Sequence, residues 1–312
     1  LVNTNHAPTV AILMGVHNGS EFILEQLHSI ANQTHRRWFV VASDDGSSDS
    51  TPEILTGIQS AWGAQKLRIL RGPQAGFARN FLSLACEPDI EADYYAFCDQ
   101  VDVWEADKLS SAVDWLQALP KDLPALYSGR SRLVDARNAD IGLSTLFERS
   151  PSFSNALVQC IAGGNTMVFN NAAKKLLQIA GPEVDVVSHD WWAYLAVSAC
   201  GGLVHYDAHP TVRYRQHGGN IVGTNLGLLP TVNRVKMLLN GRLINFTDRN
   251  LRALSKLNHC ITPRNLETLA VFAAIREKPL LRRLSIYLMH GIRRQTLVGN
   301  LGLVLAVILK KL

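Results

Sequence analysis

The first third of the chain alternates between short apolar runs and segments with helical spacing. Four mostly apolar runs are each too short for a helix and of the right length for a buried strand: residues 9–14, 38–43, 67–70 and 94–97. Between the first two, apolar residues recur every three or four positions from Phe22 to Ile30, which is typical of an amphipathic helix. Strands that alternate with helices indicate right-handed crossovers. We therefore predict an α/β fold with a mostly parallel sheet flanked by helices.

The pattern changes after Trp104. A helix to about Leu119 is predicted first, and an apolar helix begins near Ala193. Further strands are predicted at residues 125–128, 131–134, 163–169, 203–206 and 211–215. Beyond Pro230 nearly every segment has helical spacing. We predict a sheet-forming domain over residues 1–225 and a helical C-terminal region over residues 226–312.

Charge separates the same two regions. The chain has 312 residues with a formal net charge of +5, and 47% of its residues are hydrophobic, enough for a real core. From Pro230 to the end, 15 Lys and Arg accompany only 3 Asp and Glu, whereas the preceding residues hold 16 and 23. The helical region is therefore strongly basic. Without interleaved aromatic residues or a known binding motif, this charge does not indicate a nucleic-acid partner.

Cysteine usage and the start of the chain bear on the compartment. The five cysteines are odd in number and have no Cys-x-x-Cys spacing, which argues for reduced thiols and against a zinc site. No basic region followed by an apolar run and a cleavage site is present near the start, so we expect no secretory signal in this sequence. Both features favour the cytoplasm.

Acidic residues follow the predicted strands. Asp99 and Asp102 come directly after one strand, Asp44 and Asp45 after another, and Asp190 opens a helix. Ligands bind at the carboxyl edge of open α/β sheets, and carboxylates held together there favour a hard divalent cation that carries phosphates. A helix cap and a solvated loop residue explain Asp99 and Asp102 equally well when these two are taken alone. Glycine-rich dinucleotide and P-loop motifs are absent from the sequence, as is a Gly-x-Ser-x-Gly elbow.

Several motifs in order resemble family 2 glycosyltransferases, most of all the rhamnosyltransferase branch that builds bacterial surface polysaccharides. They lie at residues 13–19, 43–51, 76–81, 99–104 and 189–192. The resemblance covers roughly residues 8–222. It implies a GT-A fold, a nucleotide-sugar donor and an inverting transfer of a hexose to an acceptor hydroxyl.

The resemblance also implies residues for the donor nucleotide. The set comprises Val16, His17, Asn18, Asp44, Asp45, Arg79, Asp99 and Gln100. Within it, the first turn lines the base and ribose, and either Asp44 or Asp45 binds the ring nitrogen of uracil or thymine. A simple Asx turn is the alternative explanation of the Asp44–Asp45 pair.

The segment 99–102 corresponds to the Asp-x-Asp element of the family, but it departs from the usual pattern. Val101 stands where the family has the aspartate that binds the metal directly. We expect altered binding of Mg²⁺ or Mn²⁺ by Asp99, Asp102 and His217. Weak metal binding is one alternative; another is that Arg213, Arg215 and backbone donors stabilise the leaving group. Val101 also leaves open a catalytically silent, sugar-nucleotide-binding protein of the same fold.

Asp190 corresponds to the general base of the family, which must lie within hydrogen-bond reach of the acceptor hydroxyl. The alternative is that Asp190 only caps its helix. The resemblance gives a further set of residues for the diphosphate and the acceptor: Arg215, His217, Gly164, His189 and Trp191. The activity implied is transfer of L-rhamnose or a related deoxysugar from a dTDP- or UDP-sugar to a glycan or lipid-linked acceptor.

The basic C-terminal segment indicates a membrane surface. Paired Lys and Arg residues flank apolar segments in residues 280–312, but the apolar run 297–309 is far shorter than the roughly 20 residues that span a bilayer. Such helices suit the surface of an anionic membrane. We therefore expect a cytoplasmic protein, peripheral on the inner face of the cytoplasmic membrane. A packed helical subdomain or an oligomer interface is nearly as good an explanation.

Overall fold

The computed structural model describes residues 7–216 and 242–312. Its first part alternates strands and helices as predicted. The elements are β1 (Val10–Val16), α1 (Ile23–Ala31), β2 (Trp38–Asp44), α2 (Thr51–Trp62), β3 (Leu67–Arg71), α3 (Phe77–Cys86) and β4 (Tyr94–Asp99). Pro52 lies in the first turn of α2, where its missing N–H leaves no helical hydrogen bond unmade.

The middle of the chain completes the sheet. Its elements are β5 (Val103–Trp104), α4 (Lys108–Gln117), β6 (Ala125–Val134), β7 (Asp140–Leu143), α5 (Phe153–Ala156), β8 (Val168–Asn170), α6 (Asn171–Ala180), α7 (His189–Ala199) and β9 (Leu203–Arg215). The strand order is β3-β2-β1-β4-β8-β6-β9-β5, with β7 paired to β6. Strands β1 to β4 pair in parallel, whereas β8 is antiparallel to β4 and to β6. The α/β prediction is confirmed, with a sheet that is mixed beyond β4.

The structure corrects the predicted strand at 163–169. Gly164–Thr166 forms a 3₁₀ turn, and only Val168–Asn170 is a strand. The polar side chain of Asn165 is buried here and bonds to Asp102, so this part of the segment does not continue the sheet. The four short strands predicted in pairs near 125–134 and 203–215 are two long strands, β6 and β9, which pair in parallel with a register shift between Gly129 and Ser131.

Apolar cores lie on both faces of the sheet. Helices α1, α2 and α4 cover one face, where Ile12, Leu27 and Leu109 are fully buried. Helices α3, α6 and α7 cover the other face, where Leu82, Phe97 and Trp192 are buried. Because both faces are covered, the carboxyl edge of the parallel strands is the part of the sheet left for polar side chains.

The C-terminal region is helical, as predicted, in the part that the structure describes. Its helices are α8 (Arg242–Leu254), α9 (Pro263–Ala273), α10 (Leu280–Met289) and α11 (Leu297–Ile308). They share an apolar core with α7, and Asn155 in α5 donates to the carbonyl of Arg293 (2.8 Å). The predicted boundary near residue 225 lies outside the described residues. Among the described helices, none combines the length and apolar character needed to cross a membrane.

Candidate active site

The ends of three parallel strands bring the predicted acidic residues to one edge. In the register of the sheet, Val16 lies opposite Asp44, and Gly15 lies opposite Asp99. Adjacent strands are about 4.8 Å apart, so Asp44 and Asp99 flank the end of β1 at roughly twice that spacing. Phe81 packs so closely under β1 that a Cβ atom at Gly15 would lie 2.9 Å from its ring. The sheet therefore fixes the relative positions of the predicted nucleotide-binding and metal-binding residues.

The turn after β1 is held by bonds to two neighbouring loops. Gln100 accepts from the backbone N–H of His17 (2.9 Å) and donates to its carbonyl (2.7 Å). Asn18 has a positive φ of 47° and accepts from the backbone N–H of Ser48 (2.8 Å). His17 and Asn18 remain exposed, whereas Val16 is buried and contributes its carbonyl to the N–H of Asp45 (2.8 Å). The loops that follow β2 and β4 thus hold the predicted first-turn residues in place.

Asp44 and Asp45 make different hydrogen bonds. Asp44 accepts from the backbone N–H and hydroxyl of Ser47 (3.0 and 2.6 Å), which is the Asx turn considered from the sequence. Asp45 instead accepts from the backbone N–H groups of Gln74 (2.5 Å) and Gly76 (3.2 Å), in the loop that precedes α3. Both carboxylates are partly exposed at the edge of the sheet. Asp45 therefore joins two loops, while Asp44 mainly shapes its own.

Asp99 differs from the other carboxylates at this edge in its lack of hydrogen bonds from the described residues. It is partly buried at the end of β4, and no hydrogen-bond donor within residues 7–216 and 242–312 contacts its side chain. Burial raises its pKa, and the negative charges of Asp102 and Asp190 raise it further. These three carboxylates therefore lie close enough to interact, although 91 positions of sequence separate the first and last of them. A cation or a proton at Asp99 would relieve the repulsion.

Asp102, in contrast, is fully buried and its oxygens are bonded. Asn165 donates to one oxygen, and the backbone N–H of Arg215 donates to the other (3.1 Å). Burial raises the pKa of Asp102, while these hydrogen bonds and the charges of Arg215 and Lys108 partly offset that effect. Asp102 thus ties the loop after β4 to the 3₁₀ turn and to the end of β9.

Asp190 lies in the first turn of α7 and is only partly buried. One carboxylate oxygen accepts from the backbone N–H of Gly164 (3.2 Å), and the other accepts from the hydroxyl of Ser188 and from the N–H of Trp191 (2.6 Å). These hydrogen bonds at the N-terminus of α7 fix the orientation of the Asp190 carboxylate. Asp190 therefore accepts a hydrogen bond from a first-turn N–H of its own helix and also lies close enough to Asp99 to interact with it.

His189 is buried against aromatic rings. Its side chain is 4% exposed and stacks on Phe81 with ring centroids 4.0 Å apart, and neither ring nitrogen has a hydrogen-bond partner in the described part of the chain. A Cβ atom at Gly164 would lie 2.2 Å from Nε2, so only glycine fits at position 164. Burial lowers the pKa of His189 to about 4, although Asp190 opposes the shift. His189 is therefore neutral near pH 7, and its ring packs against Phe81 and Gly164 next to Asp190.

Arg215 and Trp191, two further predicted residues, have contacts that indicate supporting roles. The guanidinium of Arg215 is 1% exposed, donates to the carbonyls of Val101 and Ala136 (2.7 Å each) and pairs with Glu25. The indole of Trp191 is buried and donates to the carbonyl of Ala156 (2.7 Å).

Arg79 lies on α3, where it pairs with the exposed Glu183 (3.1 Å). His217, predicted for the metal and the diphosphate, lies outside the described residues.

The structure adds two residues that the sequence did not single out. Tyr214 on β9 lies near Asp99, Asp102 and Asp190, whose charges, after burial itself, raise the pKa of its phenol. Lys108 is fully buried below Asp102, with its ammonium nitrogen 4.0 Å from the centre of the Trp104 ring. A tyrosine in an alternating strand and a lysine at a helix start are common, so neither gave a signal in the sequence.

The donors at this edge fit a divalent cation only in part. No group of three or more His, Cys, Asp or Glu side chains in residues 7–216 and 242–312 is arranged to hold a metal ion. Asp99 fits as a ligand, because no donor within residues 7–216 and 242–312 bonds to its carboxylate and its acidic neighbours repel it. Asp102 fits poorly, since both of its oxygens already accept hydrogen bonds inside the protein. The geometry thus favours Asp99 over Asp102 as the side chain that binds the cation.

The sheet order, and carboxylates gathered where parallel strands end, are those of a GT-A fold. The structure is similar to S. aureus TarS 1-349 in complex with UDP-GlcNAc, with a TM-score of 0.54 and 15% sequence identity over 90% of this chain and 79% of that chain. It is also similar to mannosyltransferase PcManGT from Pyrobaculum calidifontis in complex with GDP-Man and Mn2+, with a TM-score of 0.50 and 17% identity over 92% of this chain and 87% of that chain. These likenesses show the fold.

The sequence profile of Glycosyl transferase family 2 matches residues 11–177, more than half of the chain, and the chain belongs to this family. The dTDP-rhamnosyl transferase RfbG from Shigella flexneri is 29% identical over 238 residues, which are 73% of this chain and 79% of that protein. The family and the GT-A fold predicted from the sequence motifs are confirmed.

Proposed function

We propose that this protein is an inverting glycosyltransferase that moves L-rhamnose, or a related deoxysugar, from a dTDP- or UDP-sugar to a hydroxyl of a glycan or lipid-linked acceptor. The observation that carries the proposal is the convergence of Asp99, Asp102 and Asp190 beside the turn after β1. Similarity to a dTDP-rhamnosyl transferase supports the choice of sugar. The reaction would take place in the cytoplasm.

In this proposal the nucleotide binds along the ends of β1 and β2. The turn 16–18 lines the base and ribose, and the partly exposed Asp45 binds the ring N–H of the pyrimidine while its bonds to Gln74 and Gly76 fix its orientation. Asp44 shapes the loop that carries it. Gln100 holds the turn from below, and Arg79 supplies positive charge at the rim. The donor is thereby placed with its diphosphate toward Asp99.

We further propose that Mg²⁺ or Mn²⁺ binds at Asp99 together with the diphosphate of the donor. When bound there, the cation would neutralise negative charge on the departing nucleoside diphosphate. Asp99 would hold it, while Asp102 keeps the loop 99–102 in place through Asn165 and Arg215. The buried position of Asp102 and its two hydrogen bonds suit this positioning role.

Asp190 is the proposed general base. The acceptor hydroxyl attacks the anomeric carbon as its proton moves to the carboxylate of Asp190, and the bond from the anomeric carbon to the phosphate oxygen breaks. The nucleoside diphosphate leaves with the bonding electron pair, and the anomeric configuration inverts. The N–H groups of Gly164 and Trp191 hold the carboxylate in one orientation for this transfer.

A panel of nucleotide sugars tests the proposal. We expect dTDP-rhamnose with Mn²⁺ to raise the melting temperature more than UDP-glucose or GDP-mannose, because a ligand stabilises the folded state according to its excess over Kd. Release of dTDP in the presence of an acceptor glycan would then demonstrate transfer. Binding without release of dTDP, across all acceptors tried, would instead favour a silent sugar-nucleotide-binding protein. Binding of no nucleotide sugar would contradict both.

A further inference from the structure

Exposed apolar side chains are concentrated on the two last helices. Of the 18 large hydrophobic residues that are exposed in the described part of the chain, ten lie between Leu280 and Leu309. The most exposed are Leu281 (82%), Met289 (78%), Leu297 (76%), Leu288 (72%) and Leu301 (71%). The surfaces of soluble proteins carry scattered apolar residues, but a cluster of this kind marks a contact with another protein or with a membrane.

The cluster follows the geometry of α11. Leu297, Leu301, Leu305 and Ile308 recur at helical spacing and are all exposed, while Leu303, Ala306 and Val307 on the other side are buried in the core. A helix of this length is about 18 Å long, so the stripe extends over several turns. The inner face of α11 already packs on the protein, and its outer face is equally apolar.

Helix α10 lies beside α11 and carries exposed apolar residues of its own. The guanidinium of Arg283 donates to the carbonyls of Val307 and Ile308 (2.9 Å each), so the start of α10 lies beside the end of α11. Leu281 therefore lies at the same end of the helix pair as Ile308. The exposed apolar residues of the two helices are held in place by buried contacts rather than by a mobile tail.

The charge around this surface is of one sign. Lys278 and all residues after it include seven Lys and Arg but no Asp or Glu. Arg282 and Lys310 are exposed, and the ion pairs within the described residues involve neither of them, nor Arg293 or Lys311. In a two-fold dimer through this face, the same cations would meet their own copies. An anionic lipid surface complements both the apolar stripe and the cations.

We infer that the outer face of α10 and α11 is an in-plane docking surface for an anionic phospholipid membrane. The leucines of α11 enter the interface between headgroups and acyl chains, and Arg282, Lys310 and Lys311 contact lipid phosphates. Docking does not depend on the proposed sugar donor, and it would bring the transfer site close to lipid-linked acceptors.

Vesicle co-sedimentation of the full chain tests the inference. The probe is vesicles of phosphatidylglycerol and phosphatidylcholine in equal parts, compared with phosphatidylcholine alone. The variant Leu297→Glu/Leu301→Glu changes two exposed residues of the stripe. The matched control, Ile141→Glu/Ile179→Glu, makes the same charge change at two exposed apolar positions elsewhere. All four positions are exposed, so both variants should melt at the temperature of the unmodified protein.

We expect the unmodified protein and the control to bind the anionic vesicles, and the stripe variant to bind at least about tenfold more weakly, because each buried leucine contributes on that order. Lys310→Gln/Lys311→Gln should weaken binding to the anionic vesicles by about tenfold. The same variant should leave any binding to phosphatidylcholine vesicles unchanged. Equal binding by stripe variant and control would overturn the inference. So would an absence of vesicle binding, or a dimer in solution that Leu297→Glu/Leu301→Glu dissociates.

Discussion

Two groups of carboxylates at the same sheet edge differ in how they are compensated. Asp44 and Asp45 are partly exposed and accept hydrogen bonds from backbone N–H groups. For Asp44 the donor lies in its own loop, and for Asp45 the donors lie in the loop before α3. Asp99 and Asp102 lie on one loop, and Asp190 lies 88 positions further along the chain; burial, and then the charges of Asp102 and Asp190, raise the pKa of Asp99. Hydrogen bonds from two adjacent loops order the first group, whereas the second comes together only when α7 packs beside the end of β4.

This difference separates recognition from chemistry. A nucleotide base needs fixed acceptors and little strain, which turn carboxylates provide. A group that must attract a cation needs charge that its surroundings leave uncompensated, which Asp99 provides. The carboxylate of Asp190 accepts three hydrogen bonds, which instead hold it in one orientation for proton transfer. Perturbing the second group should therefore affect turnover and stability together, and the following predictions are ordered by the size of that effect.

Asp190→Asn should reduce sugar transfer by about a hundredfold to ten-thousandfold, because the variant side chain cannot take the acceptor proton. Affinity for the donor should remain nearly unchanged, since Asp190 contacts Gly164, Ser188 and Trp191 rather than the nucleotide turn. Transfer rate and donor binding by titration calorimetry give the two values. Asp122→Asn, which makes the same change at an exposed carboxylate between α4 and β6, is the control and should transfer normally. Full activity of Asp190→Asn would refute its role as base.

Asp99→Asn and Asp102→Asn should have opposite effects on stability. In Asp102→Asn, the new N–H₂ must face either the N–H₂ of Asn165 or the backbone N–H of Arg215, so one of the two hydrogen bonds is lost, at a cost of about 1–3 kcal/mol of unfolding free energy. Asp99→Asn removes an uncompensated charge and should stabilise the fold by about 0.5–2 kcal/mol while lowering transfer. Because the pKa of Asp99 is raised in the folded state, its stabilising contribution is lost as pH rises, so the gain from Asp99→Asn should increase with pH.

Urea unfolding of both variants at several pH values measures these effects. A stabilised Asp102→Asn would show that its two hydrogen bonds contribute little. A destabilised Asp99→Asn would show that this carboxylate is compensated in the folded protein.

His189 should make stability depend on pH in the weakly acidic range. Burial lowers its pKa from 6.5 to about 4, so the unfolded chain binds more protons in between and unfolding free energy falls as pH drops through that window. The loss should approach roughly 3 kcal/mol at most. His189→Phe keeps the stacking on Phe81 and removes the titrating group, so the slope of stability against pH should become shallower. An unchanged slope from pH 6.5 to 4 would contradict the buried neutral state of His189.

Val101→Asp should sharpen metal dependence. The substitution restores the carboxylate that the family usually carries, next to Asp99 and in the loop that Arg215 holds through the carbonyl of Val101 (2.7 Å). We expect about tenfold tighter binding of Mn²⁺ in the presence of dTDP, and a lower melting temperature without metal, because an added like charge raises the repulsion. Val101→Asn is the control, which adds a polar group without a charge. Equal metal affinity of the two variants would contradict the expectation.

The sequence predicted the parts of this protein that depend on local patterns. Apolar runs indicated β1 to β4, and strand-end carboxylates indicated the edge that carries the site. It did not predict the 3₁₀ turn at Gly164–Thr166, because the bond from Asn165 to Asp102 joins residues 63 positions apart. It also gave no signal for Tyr214 or Lys108, whose positions near the carboxylates depend on the pairing of β9 and the packing of α4.

Titration calorimetry of dTDP binding with and without Mn²⁺ tests the central claim most directly, with the unmodified protein, Asp99→Asn and Asp190→Asn side by side. If the three carboxylates form one transfer site, Mn²⁺ should tighten dTDP binding to the unmodified protein and to Asp190→Asn, and should have no effect on Asp99→Asn. The same Mn²⁺ effect in Asp99→Asn as in the unmodified protein would contradict it.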